Sequence, residues 1–138
     1  MTILFLARQV NAWNLRIIGT LPPVPSFIKE RDPGTFRYLQ GRKRVFSDFA
    51  AAAQKIEFAF LRSGPLLYFQ LDVDLRTIFA RTLHEVRELK EFIPELIRRF
   101  PGLEVYYSPL AGVLEEIEQE MLVLAPCLID GYIPVPTR

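Results

Sequence analysis

The sequence predicts one α/β or α+β domain: N-terminal β-hairpin elements, then alternating helix–strand units, with three main helices packed on a mixed sheet. Three observations predict it. Short apolar runs rich in β-branched and aromatic residues stand near the start and after Gly-Pro or Pro-Gly breaks, as strands do. Three longer stretches repeat their apolar residues at helical spacing. From residue 47 onward the order is helix, strand, helix, strand, helix and a last extended stretch, which favours right-handed crossovers onto a sheet.

Thr2 to Val10 and Leu15 to Gly19, with Asn11-Ala12-Trp13-Asn14 between them, read as a hairpin. Residues 21–46 read as a proline-containing connection, Leu21 to Pro25, and a turn at Pro33-Gly34. A second, basic hairpin follows from Thr35 to Gln40 and Lys43 to Phe46. Ser47 then offers a cap for a helix carrying Phe49, Ala53, Ile56 and Phe60, stopped by Gly64-Pro65. Leu66 to Val73 reads as a central strand, apolar on both faces.

Asp74 caps a long helix from about Leu75 to Phe100. Phe79, Val86, Ile93 and Phe100 recur every seven residues there, and Ile78, Leu83, Phe92 and Ile97 widen the stripe beyond a coiled-coil seam. Pro94 falls on its outward side. Leu103 to Tyr107 reads as a strand. Ser108-Pro109 opens a helix bearing Leu110, Leu114, Ile117 and Met121, which Pro126 ends. The chain after Cys127 has extended character, with residues 133–138 as a C-terminal tail.

At 138 residues the chain is one domain's length and can bury a core without staples. Half its residues are apolar and 24% are charged, which is globular rather than disordered composition. One cysteine and one histidine exclude an internal disulfide and a four-ligand Cys/His zinc site. No signal-peptide core or spanning segment is expected, so the expected location is the cytoplasm or a virion. The net charge is +1, but residues 1–62 hold 10 Lys and Arg against 4 Asp and Glu, whereas residues 63–138 hold 7 against 12. Such poles can favour head-to-tail self-association.

Few residues of the chain carry the spacing that chemistry needs. His84 sits on the polar side of its helix, one turn before Glu88, as a solvated surface histidine. Cys127, beside Pro126 in an apolar run, reads as a small buried side chain. Asp72 and Asp74 resemble a magnesium-holding pair at a strand-to-helix junction, but no third carboxylate or phosphate loop accompanies them. The carboxylates of Glu115, Glu116, Glu118 and Glu120 read as a solvated acidic face. No cofactor is expected.

The basic segment is the candidate interaction site: Lys29, Arg31, Arg37, Tyr38, Arg42, Lys43 and Arg44, interleaved with Phe27, Phe36 and Phe46. Arg with aromatics suits protein interfaces, and secondly phosphate contact with base stacking. The leading expectation is a soluble, non-catalytic assembly protein, a subunit of a homo-oligomer or larger complex such as a virion or tail. A nucleic-acid-binding accessory protein using residues 29–44 is the alternative, and a small metal-dependent hydrolase using Asp72 and Asp74 a third. Self-association or protein partners are expected before nucleic acid, and membrane is not.

Overall fold

A computed structural model of the chain describes residues 3–129, the side chains of Pro65, Cys127 and Ile129 excepted. Among the described residues there is no strand, so the expected mixed sheet is replaced by an all-helical fold. The elements are α1 (Ile3–Thr20), α2 (Ser26–Arg31), α3 (Pro33–Ser63), α4 (Tyr68–Arg99) and α5 (Glu104–Ile129), with 3₁₀ turns at Gly64–Leu67 and Pro101–Leu103. The tail at 133–138 lies outside the described residues.

The first expected hairpin is one helix. Ile3, Leu6, Ala7, Val10, Trp13, Asn14 and Ile17 are all buried, a spacing of three and four that only a helix turns to one side. Asn11 and Asn14, read as turn residues, instead pair within the bundle. The Asn11 side-chain amide donates to the Ala50 carbonyl at 2.8 Å and that of Asn14 to the Val10 carbonyl at 2.8 Å.

The basic hairpin is the start of α3, and Ser47 lies inside that helix rather than at its cap. The cap is Asp32, which accepts from the Thr35 backbone N–H at 3.1 Å and the Thr35 hydroxyl at 2.7 Å, with Pro33 in the first turn. That is the usual chemistry of a helix start. Gly64 ends α3 at φ +58°, a left-handed conformation that glycine adopts without strain.

The expected strand 66–73 is a 3₁₀ turn followed by the first turns of α4, so Asp74 caps nothing. The strand 103–107 is likewise the end of a 3₁₀ turn and the opening of α5, which starts before Ser108-Pro109 and runs on past Pro126. Pro109 and Pro126 are exposed, as are Val105 and Leu122 one turn before them. The carbonyls that lose a donor therefore face water, which can replace it.

Cross-helix contacts fix the topology. Arg8 meets Glu57 and Asn11 meets Ala50, so α1 and α3 are antiparallel. Arg42 meets Glu85 (α3 against α4), Arg87 meets Glu118 (α4 against α5) and Trp13 meets Glu120 (α1 against α5), each pair antiparallel. Trp13 against Phe79 and Asn14 against Thr82 run parallel across the diagonal. The result is an up-down-up-down bundle in ring order α1, α3, α4, α5, with α3 and α5 at opposite corners and out of contact. One apolar core runs through it, from Ile3 and Trp13 through Phe46 and Val86 to Leu110 and Met121.

Because α1 has 18 residues and α3 has 31, α1 covers only part of α3. The proline-bearing connection and α2 complete that row, burying Ile28 and setting Phe27 edge-on to Phe100 at 5.9 Å. No helix is long and apolar enough to cross a membrane among the described residues.

Candidate functional site

The fold divides the basic segment. Lys29 lies over the Phe36 ring at 5.8 Å and Arg31 over Phe27 at 5.9 Å, so α2 uses both cations to cover aromatic surface. Arg42 stacks on Tyr38 at 4.0 Å, donates to the Tyr38 carbonyl at 2.9 Å and reaches Glu85 at 2.7 Å. Tyr38 packs on Phe92 at 4.6 Å between ring centroids and donates to Glu88 at 3.2 Å. Burial raises its hydroxyl well above the usual phenol range, with Arg42 opposing. Tyr38 and Arg42 are thus part of the α3–α4 contact. Arg37, Lys43 and Arg44 remain exposed on α3, Arg44 within 3.9 Å of Asp48.

Asp72 and Asp74 are two residues apart on a helix and point to different sides. Asp72 pairs with Arg76 at 3.0 Å, and Asp74 accepts from the Gln70 amide at 3.0 Å. No group of three or more His, Cys, Asp or Glu residues converges to hold a metal among the described residues. His84 is exposed, 3.7 Å from Glu88 one turn on.

Four of the five carboxylates of α5 are matched from the neighbouring helices. Lys90 sits between Glu115 and Glu118, Arg87 donates to Glu118 at 2.8 Å, and Arg16 bridges Glu116 and Glu120. Glu118 is buried, which pushes its carboxyl up, but Lys90 and Arg87 outweigh that and hold it below the usual range. The same contacts with Glu115 and Glu118 raise Lys90. These pairs clamp α5 to α1 and α4.

The feature the sequence reading missed lies at the chain reversal between α3 and α4. Leu66 is 88% exposed and Phe69 78%, and Phe58, Leu61, Leu67, Tyr68 and Val73 around them are each at least 40% exposed. The signal was present in Gly64-Pro65-Leu66-Leu67-Tyr68-Phe69. Leu66 to Val73 is expected there as a strand covered on both faces, whereas the structure makes residues 66–69 an exposed chain reversal.

Two grooves complete the surface. One, of about 280 Å³, lies between α1 and α5 and is lined by Phe5, Gln9, Trp13, Glu120, Val123 and Leu124. The other, of about 450 Å³, lies between α3 and α4 and includes Lys55, Asp74 and Arg81. No protein-family model, curated protein or solved structure matches the chain. What the geometry offers is contact: an apolar knob, an apolar groove and a basic corner.

Proposed function

We propose that this protein is a non-catalytic assembly subunit that associates with further copies of itself through the apolar end of the α3–α4 hairpin. The observation that carries this is the exposure of Leu66, Phe69 and their neighbours. Side chains of this size present ~150–250 Å² each, so the exposed fractions amount to roughly 700 Å². The largest apolar patch of a typical monomer is ~300–600 Å². A stable interface takes ~800 Å² from each partner, so a second copy would cover what this end leaves bare.

The charged surface supports the same reading. Most acidic side chains of α5 are already paired inside the molecule, Tyr38 and Phe36 are packed rather than free to stack on bases, and Phe27, though exposed, is set edge-on to Phe100. A nucleic-acid reading therefore keeps its cations and a single exposed aromatic of the segment, Phe27. A repeating structural assembly, in the cytoplasm or in a virion, is the setting this reading implies.

Size-exclusion chromatography with light scattering tests it. The wild-type chain is expected to exceed its monomer mass of 16.0 kDa as concentration rises. The double variant Leu66→Glu, Phe69→Glu should run as a monomer with unchanged far-UV circular dichroism, because both residues face solvent. A wild-type chain that stays monomeric at every concentration sinks the proposal.

A further inference from the structure

We infer that the hairpin tip of one copy seats in the groove between α1 and α5 of a second copy, so that copies add head to tail. The inference rests on the self-association reading and names the receiving surface. The tip is a convex turn whose most exposed side chains, Leu66 and Phe69, stand one helical turn apart. Two convex knobs meet poorly, and good packing at an interface needs a concave counterpart.

The α1–α5 groove is that counterpart. Its floor is Trp13, held in place by the indole N–H donating to Glu120 at 2.8 Å and by an edge contact with Phe79 at 6.0 Å. Its rim holds Val123, 74% exposed, and Phe5, 48% exposed. At about 280 Å³ it is under the ~300–1,000 Å³ of small-molecule sites, and its scale is that of a pair of large side chains.

Charge selects the same groove. Arg62, in the last turn of α3 beside the tip, is exposed and has no ion pair among the described residues. The α1–α5 groove has Glu116 and Glu120 beside it with Arg16 shared between them, leaving one negative charge to meet Arg62. The α3–α4 groove instead presents Lys55 and Arg81 against Asp74 alone, and would repel it.

Knob and groove lie on different parts of the surface, since the α1–α5 face is across the ring from the α3–α4 pair. In the inferred arrangement each copy offers a knob to one neighbour and a groove to another, which is a heterologous contact.

Mixing two blocked variants tests this directly. Leu66→Glu, Phe69→Glu removes the knob, and Val123→Glu charges the groove at a solvent-facing position that leaves the fold intact by circular dichroism. Each alone should lose self-association by more than ~10-fold, since its contact would bury an unpaired charge. A 1:1 mixture should give a discrete heterodimer of twice the monomer mass and nothing larger, because one intact knob meets one intact groove. Assembly of Val123→Glu at wild-type strength would show tip-to-tip pairing, overturning the groove while leaving the self-association reading standing. A mixture that stays monomeric also overturns the groove. A monomeric wild-type chain removes the inference and the reading together.

Discussion

Asp32 joins three elements with one carboxylate. It caps α3 through Thr35, it follows α2, and it accepts from Arg99 in the last turn of α4. The Arg99 hydrogen bond, then those of Thr35, lower its pKa from 3.8 to about 2. A carboxyl depressed on folding adds stability that is complete above its unfolded value and is lost as pH falls through its folded value. Asn still caps a helix, so the wild-type chain should melt above Asp32→Asn by only roughly 1–4 °C at pH 7 and 5, with the gap closing between pH 4 and pH 2. Thermal unfolding followed by circular dichroism at each pH measures it, and a gap independent of pH would refute the assignment. This cap is legible as Asp32-Pro33 with Thr35 three residues on, yet Pro33-Gly34 also spells a turn, and the local sequence supports both. His84 and Glu88 were easier, because a helix sets the distance between residues four apart whatever surrounds it.

At the scale of elements, α4 was the best-read part of the chain, and it begins seven residues earlier than expected. Its apolar stripe is wide because Leu75, Phe79, Val86 and Ile93 meet three other helices rather than one partner. The missed elements share a cause. Short apolar runs of four to eight residues do not reveal their period, so Leu66 to Val73 and Leu103 to Tyr107 look alike as strand or helix. Only their neighbours in the bundle decide. Pro94 provides a test of how much α4 depends on its sequence. It is exposed inside the helix and supplies no N–H to the Lys90 carbonyl, while Ile93 and Leu96 beside it are buried. Pro94→Ala should restore that bond and stabilise the protein by ~1–3 kcal/mol in urea unfolding. A loss of stability would mean that the core around Ile97 and Phe100 is built on the bend that Pro94 imposes.

For the whole molecule, the charge split seen along the chain survives folding in altered form. α3 carries Arg37, Arg42, Lys43, Arg44, Lys55 and Arg62 against Asp48 and Glu57, whereas α5 carries five Glu and no Lys or Arg. Of the four long helices these are the two that do not touch among the described residues, so the poles lie at opposite corners, and α1 and α4 between them supply the pairing ions. That placement was not legible, because it follows from ring order and not from any local pattern. The same ring order makes Trp13 a reporter on the entire bundle. It is the only tryptophan, sits on α1, meets Phe79 of α4 and bonds Glu120 of α5, while its own helix is tied to α3 through Asn11 and Arg8. If the bundle is one cooperative unit, Trp13 fluorescence and far-UV circular dichroism should trace the same urea transition with one midpoint and slope. Fluorescence that changes first, with helical signal retained, would mean that the α3–α4 hairpin stands by itself after α1 and α5 come away. The apolar tip would then belong to an independent unit, and blocking it at Leu66 and Phe69 should leave the first transition unmoved.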